Sequence, residues 1–178
     1  MSGRRGSALG AVLVATIVLG GCGGGAKGPP KVASKADFVK AGDAICIDRD
    51  RRSSQLIKDL GANGELARLS SELADIYADA IASLQALPLP PGTARAGAQK
   101  YVASVVAQRR SVQRMKAAAT QLDVAVRSKQ VPAVKAASQQ LQIDVNTVQA
   151  LGNVADLNAR TYGFRKCGAQ SLGSNPVA

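Results

Sequence analysis

The sequence predicts an all-α domain, an antiparallel up-down-up-down four-helix bundle, and three observations carry that prediction. Apolar residues recur at steps of three and four, with no strand-like alternation. Proline and glycine clusters divide the chain into four helix-length segments. Two cysteines, Cys46 and Cys167, stand near opposite ends of the folded region, where such a bundle brings its first and last helices side by side.

The first helix starts at Ser34, whose Ser-x-x-Asp spacing to Asp37 matches a capping box. Its apolar face runs through Phe38, Ala41, Ile45, Leu56 and Leu60, and Gly61-Ala62-Asn63-Gly64 ends it. The second begins near Asn63 and carries the cleanest stripe, Leu66, Leu69, Leu73, Ile76, Tyr77, Ala80, Leu84 and Leu87. Pro88, Pro90, Pro91 and Gly92 stop it. Thr93 is placed to cap the third, which aligns Ala98, Tyr101, Val105, Val112, Met115, Ala119, Leu122 and Val126. Pro132 suits the first turn of the fourth. Its stripe is Leu141, Val145, Val148, Gly152, Ala155, Ala159 and Tyr162. Gly163 is the expected C-cap, with Phe164 folding back on the last turn. The third and fourth segments are longer than the first two: either their hairpin projects beyond the bundle, or one of them is broken.

The bundle is expected over residues 34–168, followed by a disordered tail at 169–178. Ahead of it, Arg4 and Arg5 precede an uncharged run from Ala8 to Leu19, and Gly20 and Gly21 follow. This order is that of an export signal occupying residues 1–21. The run is about a dozen residues, where a spanning helix needs roughly twenty. Residues 22–33, rich in glycine and holding Pro29-Pro30, read as a tether. Lys27, Lys31 and Lys35 lie close to its start and would be drawn to an anionic surface.

Leu19-Gly20-Gly21-Cys22 resembles the lipobox of bacterial lipoproteins. The resemblance implies diacylglycerol on the Cys22 sulfur, cleavage before Cys22, and a palmitate-type acyl anchor in the cell membrane, facing away from the cytoplasm. The alternative is an ordinary signal peptide with a free Cys22. With Cys22 lipidated, Cys46 and Cys167 remain, and an exported chain with two spare thiols invites one disulfide. The other reading is two separate buried thiols. A redox or metal role is disfavoured, because the chain has no C-x-x-C and no histidine.

Further short motifs are Phe38 with Ala44-Ile45-Cys46, Leu87-Pro88-Leu89-Pro90, and Tyr162-Gly163-Phe164-Arg165-Lys166-Cys167-Gly168. Together with the lipobox and tether, this plan resembles a set of small actinobacterial lipoproteins of unassigned activity. The likeness spans nearly the whole chain. It implies an envelope location and a disulfide, and supplies no catalytic residue.

Twenty-three basic and twelve acidic residues give a net charge of +11. The excess is uneven: residues 35–87 sum to −2 and residues 92–168 to +9. Arg109, Arg110, Arg114 and Lys116 head this basic second half, as candidate contacts for an anionic surface. Outside the cytoplasm the partners would be lipid head groups, an acidic envelope polymer or another envelope protein. No nucleic-acid partner is expected, since the compartment is wrong for it and aromatic residues are not interleaved with the basic ones. The alternative is a solvated basic face that serves solubility. Glu72, Asp75 and Asp79 lie off the stripe of the second helix, where they pair with a neighbouring helix or a partner. They make a poor metal site.

Arg49 and Arg52 interrupt the apolar face of the first helix, Gln108 that of the third, and Asp144 edges that of the fourth. Aligned helices would bring them to similar heights. They are the candidate polar layer, either an Arg–Asp pair or a small anion-binding cavity. The plainer outcome is that both arginines reach outward or form a structural ion pair. No catalytic, cofactor or metal constellation is legible. The expected function is a non-catalytic, membrane-anchored envelope binding module, with a small-ligand-binding lipoprotein as the alternative.

Overall fold

The computed structural model describes residues 32–60 and 65–168. The signal segment 1–21, Cys22 and most of the tether, the Gly61–Gly64 stop and the tail 169–178 lie outside the described residues. Within them the chain is helical, with five helices and no strand: α1 (Lys35–Leu60), α2 (Leu66–Ala86), α3 (Ala94–Val106), α4 (Arg109–Arg127) and α5 (Val131–Tyr162).

The ends follow local chemistry. Asp37 N–H donates to Ser34 Oγ at 3.1 Å, and Ser34 Oγ donates to Asp37 Oδ2 at 2.8 Å. The same carboxylate accepts Ala33 N–H at 3.3 Å, one residue further back than in the usual box. Helix α2 begins at Leu66, later than the expected start near Asn63. Pro132 occupies the first turn of α5 as expected. Gly163 takes the left-handed conformation, φ 112°. Its N–H reaches Arg160 O at 3.1 Å, and Phe164 N–H reaches Ala159 O at 3.0 Å. That pair of bonds is a Schellman cap, and it turns Phe164 into the core.

The third expected helix is divided. Ala107 and Gln108 keep right-handed helical angles, but Gln108 N–H bonds back to Val105 O at 3.1 Å, an i−3 rather than i−4 partner. One tightened turn thus separates α3 from α4, at the polar residue that interrupts the apolar line. Of the two alternatives read from the sequence, the broken helix is the one adopted. Thr93 does not act as a side-chain cap. It sits in the helical region itself, φ −65° and ψ −22°, rather than in the extended geometry a capping hydroxyl needs.

Helix α4 packs on α5 and α2; α2 also packs on α1 and α3, and α3 on α5. Alanines 74, 98, 118, 119, 155 and 159 are buried, so much of the core is close helix–helix contact with small side chains. The bulky part sits at one end. There Phe38, Tyr101 and Tyr162 gather around Phe164, with ring centroids 4.4–5.8 Å apart. Two glycines make room for it. A Cβ on Gly97 would lie 2.7 Å from the Tyr162 ring, and one on Gly42 would clash with Phe164 Cε1. The Tyr162 hydroxyl donates to Ala94 O at 3.1 Å, tying the end of α5 to the start of α3.

Cys46 and Cys167 form a disulfide, Cα–Cα 5.1 Å, closing a loop of sequence separation 121. It joins α1 to the turn after α5. No helix among the described residues is long and apolar enough to cross a membrane.

Candidate functional site

Of the four residues proposed for a polar layer, the structure brings two together. Arg49 points into the protein, its side chain 12 % exposed, whereas Arg52, one turn on, is 38 % exposed and pairs with Asp79 of α2 at 2.9 Å. Gln108 is buried at the α3–α4 junction and lines the same cavity as Arg49. Asp144 is buried elsewhere. It accepts Arg114 Nε at 2.9 Å and Gln140 Nε2 at 2.9 Å. The anticipated pairing of Arg49 or Arg52 with Asp144 is not formed: Asp144 pairs instead with the half-exposed Arg114 of α4.

The Arg49 cavity holds about 40 Å³ and lies beside the disulfide. Its polar lining comes from Arg49, Tyr77, Tyr101, Gln108, Gln149 and Asp156, and its apolar lining includes Ile81, Leu84, Val105 and Val148. Arg49 Nε donates to Asp50 Oδ1 at 2.8 Å. Its Nη2 is 2.7 Å from the same oxygen but off the hydrogen-bonding direction, so that atom is a buried donor without an acceptor. The guanidinium also lies over the Tyr77 ring, 5.4 Å from its centroid. Burial by itself works against the charged form of Arg49. Tyr77, Asp50 and Tyr101 more than offset it and raise the pKa above its ordinary value.

Burial raises the pKa of both tyrosines, with Arg49 opposing. Since both cysteines are bonded, the Tyr101 hydroxyl is the donor in its 4.0 Å contact with Cys46 Sγ. Asp156 makes no hydrogen bond or ion pair among the described residues. Burial raises its pKa as well, against the pull of Arg49 and Arg160. Asp156, Tyr77 and Tyr101 were not singled out as polar-layer residues. Tyr77 and Tyr101 occur in apolar stripes, where an aromatic ring normally signals core. Asp156 sits next to Ala155 on the stripe of α5, a faint signal that it shares the inner face.

A water needs about 10–15 Å³ of such space, so the cavity takes a few waters or a monatomic ion and no organic solute. Asp50 is bonded to the single guanidinium and Asp156 lines the same cavity, so the positive charge there is partly offset.

Three of the four cations proposed as an anionic-surface contact are engaged within the protein. Arg109 donates to Gln85 Oε1, Arg114 is bound to Asp144 and to Ser111 Oγ, and Lys116 Nζ bridges both oxygens of Asp75 at 2.6 and 2.8 Å. Arg110 alone of the four makes no hydrogen bond or ion pair among the described residues. Asp75 and Asp79 therefore serve neighbouring helices, and Glu72 pairs with Arg68 within α2. No group of three or more His, Cys, Asp or Glu among the described residues is arranged to hold a metal ion.

Compared with known proteins, the chain matches no family model, no curated protein and no solved structure.

Proposed function

We propose that this protein is an extracytoplasmic lipoprotein, held to the cell membrane through acyl chains on Cys22, and that it acts as a non-catalytic binding module of the envelope. The observation that carries this reading is the Cys46–Cys167 disulfide, buried at the aromatic end of the domain. Structural disulfides belong to oxidising compartments, where an exported chain matures. The uncharged run ending in Leu19-Gly20-Gly21-Cys22 supports the same compartment from separate residues. The likeness to small actinobacterial lipoproteins is consistent with it.

The test is expression of the full chain in an exporting bacterial host, followed by fractionation and mass measurement of the processed N-terminal peptide. The expected result is a membrane-associated protein beginning at Cys22 with a diacylglyceryl adduct, and loss of the adduct in Cys22→Ser. An unprocessed chain in the cytoplasm would overturn the reading. The second reading, a ligand held inside the bundle, is favoured by the polar cavity at Arg49 and Gln108. Its volume restricts that ligand to a monatomic ion or ordered water. A halide titration followed by thermal melting separates the two: a saturable rise in melting temperature, lost in Arg49→Met, is the signature of the interior site.

A further inference from the structure

Cations without an ion pair among the described residues include Arg110 and Lys129, but four of them gather around one groove at the end where the chain arrives from Cys22. An open groove runs between one face of α1 and the turn after α5, bounded by Lys35, Lys40, Arg165 and Lys166. None of these four makes an ion pair among the described residues, although Lys35 Nζ lies over the Tyr162 ring at 4.7 Å; Arg52, Arg114 and Lys116, by contrast, are spent on Asp79, Asp144 and Asp75. The one carboxylate in the groove, Asp43, is turned to the backbone N–H groups of residues 165–167 and is committed to them. Asp37, in the first turn of α1, is likewise turned back as the cap. Four cations to one carboxylate leave the rim net positive.

The floor is apolar. Val39 and Ile47 lie two turns apart on α1, and Ile47 leaves 50 % of its surface in water. Cations around an exposed aliphatic side chain match a surface with anionic head groups above hydrocarbon. A soluble acidic polymer would use the cations and have no use for Ile47. The tether is a poor occupant, since residues 23–34 carry Lys27 and Lys31 and no acid.

We infer that this groove seats the domain on the anionic phospholipid of the membrane to which it is anchored. The inference rests on the Cys22 anchor proposed above. Thirteen residue steps separate Cys22 from Lys35, an extended reach of at most about 45 Å. An anchor that close raises the local lipid concentration, so a few head-group contacts suffice to hold the domain down.

The experiment uses the chain from residue 22 onward carrying Cys22→Ser, which keeps every described residue and removes the acyl anchor. Co-sedimentation is measured with vesicles of phosphatidylcholine alone and of phosphatidylcholine with phosphatidylglycerol. Binding is expected only to the anionic vesicles. Lys40→Gln with Lys166→Gln should weaken it roughly thirtyfold, at about one kcal/mol per cation near the surface. Ile47→Ser should weaken it further. Arg110→Gln with Lys129→Gln, an equal charge change elsewhere, should leave it within about threefold. No binding to anionic vesicles, or equal losses from the two charge pairs, would overturn the docking surface. So would binding to soluble polyglutamate that is indifferent to Ile47, which would assign the groove to a polymer. Lipidation of Cys22 is read separately by mass, so an anchored protein without vesicle binding removes this inference and leaves the anchor standing.

Discussion

Asp43 Oδ1 accepts the backbone N–H of Lys166 at 2.8 Å, joining α1 to the turn that carries Cys167. The same carboxylate accepts the N–H groups of Arg165 and Cys167 at 3.2 Å. A charged acceptor serving three successive amides is worth more than a neutral hydrogen bond. Asp43→Ala should therefore cost about 2 kcal/mol in chemical denaturation. It should also open the chain after Arg165 and Lys166 to trypsin before the rest of the domain is cut. Unchanged digestion there would mean that the disulfide alone holds the turn.

The disulfide restricts a loop of sequence separation 121 in the unfolded chain. Loop-closure entropy for that length gives about 5 kcal/mol, as an upper value for this bond. Cys46→Ala with Cys167→Ala should lower the denaturation midpoint accordingly, with helical circular dichroism retained below the transition. Helix α4 packs on both α2 and α5 away from the disulfide end, and these three helices are expected to persist.

Asp156 gives a pH signature. Its pKa is raised in the folded state by burial, so the folded protein holds this proton more tightly than the unfolded chain. Below the ordinary carboxylate range both states are protonated and the group costs nothing. As pH rises past that range, the unfolded chain ionises first and stability falls, until the folded pKa is passed. Asp156→Asn should match the wild type at low pH and exceed it at neutral pH. An advantage equal at all pH values would show that packing, not ionisation, sets the difference. Arg49→Met should enlarge the effect, because Arg49 is the larger of the two charges opposing the shift.

Arg114 and Asp144 form the most unequal ion pair among the described residues, with the carboxylate 3 % and the guanidinium 47 % exposed. Arg114→Leu leaves the buried carboxylate with Gln140 as its remaining hydrogen-bond donor. The expected cost is about 2 kcal/mol, below the usual value for a broken fully buried pair because Arg114 reaches water. Adding Asp144→Leu should recover most of it, since a paired charge exchanged for apolar volume is close to neutral. A double variant as unstable as the single one would locate the cost in packing instead.

Much of the helical plan was legible in the residues. Ser34 with Asp37, Pro132, and Gly163 followed by Phe164 are local signals, and each acts within a turn of where it is read. Cys46 and Cys167 were legible as a pair by counting. Thr93 misled because the Pro91-Gly92 turn already places it in helical geometry, with Arg95 N–H bonded to Gly92 O at 3.2 Å. Gln108 stands out in the sequence as a polar residue in an apolar line; that it also tightens the helix there depends on a single i−3 bond.

The polar residues divide differently, because periodicity reports a face and not a partner. Arg49 and Arg52 share one region of α1, yet one is buried over Tyr77 and the other paired outward with Asp79. The register of Asp144 makes it unusual, but its arginine lies 30 residues away on a helix whose rotation no local pattern states. The same holds for charge. Composition places the positive excess in residues 92–168, but which of those cations are spent within the fold, as Arg114 and Lys116 are, and which keep no ion pair, as Arg110, Arg165 and Lys166 do among the described residues, is set by packing. Backbone preferences, caps and the cysteine count act over a few residues or by number alone, so the chain specifies them directly. Which cation meets which carboxylate, and which remains for a partner, depends on distances between helices, and only packing sets those.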